Sequence, residues 1–305
     1  MYKLLLTGTF GWTEEQLEWI RTLGYEIFFL QKESDLLPVA AGDIECVVCN
    51  GLFLYHDIDN FTRLKFIQLT SAGLDRVPLE KINERGIELY NARGVYNVPM
   101  AEWVLFRVLE HYKRADHFRE TQRSGKWIKE RGLLEICGRK VAIVGAGNIG
   151  QTVAKRFAGF DVQVTGFDVH RDATPYFDEM DLTGNFAGRI AEFDIVVLTA
   201  PLTDETRHMI SRPLVERMKI GAMLINIARG GLIDELAMIE VLRKRPDLHF
   251  ALDVFEYEPL AADSPLWTLP NVSLSPHNSF VSDGNPGRLF KVIYDNLKNF
   301  AERAQ

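Results

Sequence analysis

At 305 residues, with 47% hydrophobic and 25% charged side chains, the chain is long and apolar enough for two domains with separate cores, which excludes a disordered or fibrous protein. The formal net charge of -7 argues against nucleic acid as a main partner, because a phosphate-binding surface needs concentrated Lys and Arg. No apolar run approaches the ~20 residues of a membrane span, and the apolar stretch in residues 1–8 is too short for a signal peptide, so a cytoplasmic protein without a membrane partner is expected.

From the N-terminus, short apolar runs at 3–7, 27–30, 44–49, 66–69 and 87–90 alternate with helical patterns at 14–23 and 78–85. That alternation predicts a small doubly wound α/β unit. Cys46 and Cys49 spell C-x-x-C inside the run 44–49, where residues three apart point to opposite faces of a strand, so both are expected as core thiols and no metal site is expected. With Cys137 they make three cysteines, an odd number that suits a reducing compartment. A helix is predicted from Pro99 to about Arg119, with Ala101, Val104, Leu105, Val108 and Tyr112 on one face and Trp103, Phe106 and Leu109 on another. Two apolar faces require two partners: its own domain, and either the other domain or a second subunit. Residues 123–139 carry turn residues and charge and read as surface structure.

The run 140–144 then leads into Gly145-Ala146-Gly147-Asn148-Ile149-Gly150, followed by a helical stretch at 149–160, a strand at 162–167 and Asp168. Strand, tight glycine turn and helix N-terminus set backbone N–H groups against a pyrophosphate, and an acid at the end of the next strand accepts from a ribose hydroxyl. Asp168 also repels a 2′-phosphate, which favours NAD, although His170 and Arg171 stand next to it. Apolar runs at 195–198, 223–227, 250–254 and 272–274 continue the pattern of a parallel sheet covered on both faces. Past their carboxyl ends stand Pro201-Leu202-Thr203, Arg229-Gly230-Gly231, Glu256-Tyr257-Glu258-Pro259 and Pro276-His277-Asn278, on the edge where such sheets bind ligands. A last helix at 288–301 follows the glycine and proline loop 283–287.

Taken with Ser71-Ala72-Gly73-Leu74-Asp75, Ala101-Glu102, Ala200-Pro201-Leu202-Thr203, Asn226-Ile227-Ala228-Arg229-Gly230, 253–259 and Ser275-Pro276-His277, these motifs resemble the NAD-dependent D-isomer-specific 2-hydroxyacid dehydrogenases over nearly the whole chain. The resemblance implies an α/β fold in which a Rossmann-type doubly wound parallel sheet, residues 98–283, is inserted into a smaller flavodoxin-like substrate domain, residues 1–97 plus 284–305. It implies a hydride transfer between NAD(H) and a D-2-hydroxy acid or 2-keto acid; a homodimer is expected from the helix with two apolar faces. Residues Gly145, Gly147, Asn148, Ile149, Gly150, Asp168, Ala200, Pro201, Thr206, Ile227, Ala228, Asp253 and His277 are the expected cofactor contacts. Substrate contacts are expected from Arg229, Tyr96, Phe280 and the backbone N–H groups of Ala72 and Gly73.

The chemistry of the residues agrees with that expectation. Reducing a 2-keto acid requires a cation on the carboxylate and carbonyl, which suits Arg229, and a proton donor for the developing alkoxide, which suits His277. Glu258, hydrogen-bonded to the imidazole, would favour its charged form and fix the ring. After His277 the family often has a small apolar residue and then Ala-Gly, whereas Asn278-Ser279-Phe280 stands here. Phe280 and the segment 51–55 point to a medium-sized apolar substrate side chain, branched or aromatic. The alternatives are a phosphorylated acid such as 3-phosphoglycerate, or an NAD-sensing interaction protein.

Overall fold

A computed structural model describes residues 1–172 and 174–303. The chain forms two compact units, Met1–Tyr96 with Ser282–Gln305, and Asn97–Val281; positions 304 and 305 of the expected 284–305 segment lie outside the described residues.

The first unit opens with β1 (Tyr2–Thr7), α1 (Glu14–Thr22), β2 (Tyr25–Leu30), β3 (Cys46–Cys49), β4 (Phe66–Leu69), α2 (Leu79–Glu84) and β5 (Glu88–Tyr90). Thr13 starts α1 with a capping box: its hydroxyl accepts from Gln16 N at 3.2 Å while the Gln16 side chain accepts from Thr13 N at 3.0 Å. The strands pair in parallel in the order β2-β1-β3-β4-β5, the flavodoxin-like arrangement. Every residue of β3 is buried, and its side chains alternate as expected: Cys46 packs with Leu4 and Phe66 on one face, Cys49 with Val47, Ile67 and Leu69 in the cluster on the other. Burial pushes both thiols well above the ordinary range.

The second unit continues with α3 (Asn97–Tyr112), α4 (Ala115–Arg123), β6 (Lys140–Val144), α5 (Asn148–Phe157), β7 (Gln163–Asp168), β8 (Glu179–Leu182) and α6 (Phe186–Arg189). It closes with β9 (Ile195–Leu198), α7 (Arg212–Glu216), β10 (Met223–Asn226), α8 (Glu235–Leu242), β11 (His249–Leu252) and β12 (Val272–Leu274). Its seven parallel strands run β12-β11-β10-β9-β6-β7-β8, a doubly wound Rossmann-type sheet whose order reverses between β6 and β9. In doubly wound sheets ligands bind at such a switch point, beyond the carboxyl ends of the strands. The last helix, α9 (Asn285–Arg303), belongs to the first unit, where Leu289, Phe290, Ile293, Leu297 and Phe300 join the core and Leu297 O accepts from the Tyr25 hydroxyl at 2.7 Å.

Three features differ from expectation. The helix predicted over 99–119 is two helices, because Arg114 takes a left-handed conformation (φ 49°) that ends α3. Strand β8 has no apolar run to announce it: only Asp181 of Glu-Met-Asp-Leu is buried, at the edge of the sheet. The C-terminal helix absorbs Asn285, Pro286 and Gly287, since proline suits a first turn that needs no N–H there. Among the described residues, no helix is long and apolar enough to cross a membrane.

Where α3 meets the sheet, the rings of His111 and His249 stack 4.0 Å apart, and His249 Nε2 lies 3.0 Å from Ser273 Oγ. Burial, reinforced by His111 and Arg107, pushes His249 down to about 3 from an ordinary 6.5. Burial and Arg114 lower His111 as well. The folded state therefore disfavours the charged form of both rings, and for His249 the contribution is complete above about pH 6.5 and lost as the pH falls toward 3, at up to about 1.4 kcal/mol per pH unit for one proton. His249→Gln, which cannot titrate, is expected to flatten the decline in melting temperature between pH 7 and pH 5; an unchanged decline would contradict this assignment.

Candidate active site

The glycine loop leaves β6 with Gly145 at φ +100°, and a Cβ there would meet Ala200 N at 2.6 Å, so only glycine fits. A Cβ on Gly150 would lie 2.0 Å from Gly145 O, which lets α5 start directly against the turn. Gly147, at the N-cap of α5, has nothing within 4 Å of where its Cβ would be. A tight turn, close helix packing and an open approach to the helix N-terminus by Asn148 and Ile149 are what a pyrophosphate needs, and the residues fit a dinucleotide. Asp168 ends β7 with its carboxylate accepting from Ala146 N at 2.6 Å and Val169 N at 2.7 Å, which places it beside the same loop. Across the switch point the Thr199 hydroxyl donates to Gly145 O at 2.6 Å, a contact the sequence analysis missed because a lone Thr at a strand end carries no pattern. Ala200 is buried against the loop, and Pro201 O accepts from Thr206 Oγ1 at 2.8 Å, which folds the segment after β9 back on itself.

The turn after β10 presents Arg229. Fully buried Asn226 braces it, donating from Nδ2 to Arg229 O at 2.9 Å and accepting from Ala228 N at 3.0 Å. Ile227 and Ala228 are buried beneath the turn, and Arg229 Nη1 donates to Ala228 O at 2.7 Å. A Cβ on Gly230 would stand 1.8 Å from the carbonyl carbon of Phe255, so the arginine turn touches the loop after β11 backbone to backbone. That loop carries Glu258, whose Oε1 accepts from Phe255 N at 3.1 Å.

His277 follows β12 in a left-handed conformation (φ 50°), which a β-carbon disfavours by about 1–2 kcal/mol. Asp253 holds it there. Its backbone oxygen accepts from His277 N at 2.7 Å, and its carboxylate accepts from Asn278 N at 2.8 Å, Ser279 N at 2.9 Å and the Ser275 hydroxyl. Asp253 is itself fully buried. The ring Nδ1 of His277 lies 2.7 Å from Glu258 Oε2, and since a carboxylate only accepts, Nδ1 carries the hydrogen and Nε2 is the nitrogen available for proton exchange. Phe280 packs edge-on against the imidazole, with centroids 5.7 Å apart. Arg229, Glu258 and His277 thus leave adjacent strands β10, β11 and β12 at the same edge.

The remaining expected residues belong to the first unit. Ala72 and Gly73 follow β4 in a loop where, among the described residues, their N–H groups have no backbone partner, and Tyr96 donates to Thr70 O. In the segment 51–55, Phe53 turns into the core against Phe61, with centroids 5.6 Å apart, whereas Leu54 and Tyr55 are exposed.

Residues 105–279 match the D-isomer specific 2-hydroxyacid dehydrogenase family, NAD binding domain. The chain belongs to that family. Among its relatives is a D-3-phosphoglycerate dehydrogenase from Methanocaldococcus jannaschii, 33% identical over 278 residues, 88% of this chain and 52% of the relative; the chain thus spans about half of that protein's length. A glyoxylate/hydroxypyruvate reductase from Arabidopsis thaliana is 33% identical over 92% of this chain and 87% of its own. The crystal structure of a D-isomer specific 2-hydroxyacid dehydrogenase family protein from Aeromonas salmonicida superposes with a TM-score of 0.84 at 28% identity, covering 99% and 96% of the two chains.

In this member of the family, Asp253→Asn keeps the shape of the buried carboxylate but sets an amide against the N–H and hydroxyl donors of the histidine turn. The variant is expected to lose roughly 1–3 kcal/mol of stability in denaturant unfolding. It should also lose at least about tenfold in turnover through misplacement of His277; wild-type values for both would remove Asp253 from this role.

Proposed function

We propose that the chain reduces 2-keto acids to D-2-hydroxy acids, and catalyses the reverse oxidation, with NAD(H) as the hydride carrier. The observation that carries this reading is the 2.7 Å contact of His277 with Glu258 on the strand edge that also bears Arg229, beside a glycine loop fitted to a dinucleotide. Bound NADH supplies the hydride. Arg229, a permanent cation, holds the substrate carboxylate and polarises the keto oxygen. His277 gives its Nε2 proton to the developing alkoxide and takes it back in oxidation, while Glu258 holds the ring through Nδ1. Asp253 acts through the histidine turn. In this reading the N–H groups of Ala72 and Gly73 serve as further donors to the substrate carboxylate.

NAD in preference to NADP is supported by Asp168 at the end of β7. Arg171, three residues after Asp168 and a guanidinium that could welcome a 2′-phosphate, is engaged by Asp181. Asp181 also accepts from Asn185 at 2.8 Å, Leu182 N at 2.8 Å and Arg189 at 3.2 Å, and these donors keep its carboxyl well below the ordinary range, so the pairing persists at neutral pH.

For the substrate side chain we propose a medium-sized apolar group, supported by exposed Leu54 and Tyr55 after β3 and by Phe280 against the catalytic imidazole. A second reading, glyoxylate or hydroxypyruvate, is favoured by the naming of relatives 31–34% identical to this chain. A homodimer is proposed from the apolar side chains left exposed on the second unit, Phe106, Trp127 (95% exposed) and Ile128.

His277→Ala is expected to lower kcat at least about a hundredfold, the lower end of acid–base contributions, and near-normal turnover would remove His277 from the role. Catalytic efficiency with NADH should exceed that with NADPH by at least about tenfold, the equivalent of a single charge repulsion of ~1.4 kcal/mol; equal efficiencies would defeat the assignment of Asp168. Faster turnover of glyoxylate or 3-phosphohydroxypyruvate than of 2-ketoisocaproate and phenylpyruvate would replace the apolar substrate.

A further inference from the structure

A second histidine–carboxylate couple stands at the same edge of the second unit. His208 Nε2 lies 2.9 Å from Glu256 Oε1, and because the carboxylate only accepts, the ring nitrogen donates. His208 ends the loop after β9 and, like His277, is held in a left-handed conformation, φ 52°. Such a backbone persists only where its surroundings over-determine it, and here both ends of the residue are engaged. Its backbone N–H donates to Gly231 O at 2.8 Å, within the turn that presents Arg229, and its ring reaches Glu256, two residues before Glu258. The next residues extend the first contact: Ile210 N donates to Leu232 O at 3.0 Å and Asp234 N to Ile210 O at 3.1 Å. Glu256 N in turn donates to Glu235 Oε2 at 3.4 Å, and burial raises the Glu235 carboxyl above its ordinary range.

His208 therefore touches both loops that carry the polar catalytic groups: one by its backbone, the other by its ring. The Gly230 backbone already lies against Phe255 and Glu256 with no room for a β-carbon, but that is a contact of shape, which can slide. A charge-assisted hydrogen bond across the same junction fixes direction as well as distance. We propose that the His208–Glu256 couple is a positioning device that sets the spacing between Arg229 and the Glu258–His277 pair, and so tunes keto-acid reduction without touching substrate or cofactor. This rests on the functional reading above.

The test compares His208→Ala, His208→Gln and Glu256→Ala with wild type in NADH-dependent reduction of 2-ketoisocaproate and phenylpyruvate, with NADH affinity measured separately by fluorescence titration. Alanine and glutamine bear the same backbone strain at position 208, so their difference isolates the side-chain contact, and the glutamine amide can donate to Glu256 where alanine cannot. We expect His208→Ala and Glu256→Ala each to lose at least about tenfold in kcat/KM, and the double variant to be no worse than either. NADH affinity is expected to stay within about threefold, ~0.65 kcal/mol, because the glycine loop and Asp168 are untouched, and His208→Gln to recover most of the loss. Wild-type kinetics in both alanine variants, a parallel loss of NADH affinity, a glutamine no better than alanine, or unfolding of both alanine variants would each overturn the positioning role while leaving the functional reading intact. A wild type that binds NADH but reduces no 2-keto acid would overturn the functional reading, and this inference with it.

Discussion

The site depends on a carboxylate buried at the end of β11. Asp253 has no exposed surface, and its oxygens close the turn that carries His277 through three donors and a backbone contact. Removing a carboxylate from water costs several kcal/mol, and the arrangement survives because every donor that faces it comes from one short loop. That loop in turn takes a left-handed histidine. The result is a rigid ring: an imidazole whose Nδ1 is tied to Glu258 and whose backbone is tied to the end of β11 has little freedom left to move Nε2.

The same logic of close backbone approach runs through the second unit. Gly145 meets Ala200, Gly150 meets Gly145, and Gly230 meets Phe255, each at a distance that forbids a side chain. Two of these contacts shape the cofactor loop at the switch point, and the third joins the arginine turn to the loop of Glu258. Parallel strands make this possible, because consecutive carboxyl ends line one edge and their loops must pass one another. Polar side chains then lock what the glycines bring together: Thr199 on the glycine turn, Asn226 on the arginine turn, and the His208–Glu256 couple between loops.

Much of this was legible in the sequence, for reasons that differ from element to element. Strand β9 fell on a continuous apolar run because a central strand of a sheet covered on both faces buries every side chain. The glycine turn, Asp168, Arg229, Glu258 and His277 stood out because their residue types and order match a mechanism. Strand β8 was invisible, since its buried residue is an aspartate, paired with Arg171 before it and Arg189 after it. The break between α3 and α4 depends on one left-handed arginine with no glycine or proline to signal it. Thr199, His208 and Glu256 act through partners distant in sequence, and no local pattern encodes such pairs. Phe53 showed the opposite failure: an aromatic expected to line the substrate site that serves the core instead.

In the proposed function this edge of the sheet holds NADH and a 2-keto acid together and delivers the proton that accompanies the hydride. The most direct measurement is the consumption of NADH by purified protein across glyoxylate, pyruvate, hydroxypyruvate, 2-ketoisocaproate and phenylpyruvate, with the configuration of the product determined by chiral chromatography. One D-2-hydroxy acid formed per NADH oxidised is the predicted result. Tight NADH binding with no oxidation by any keto acid, or a product of the L configuration, would contradict it.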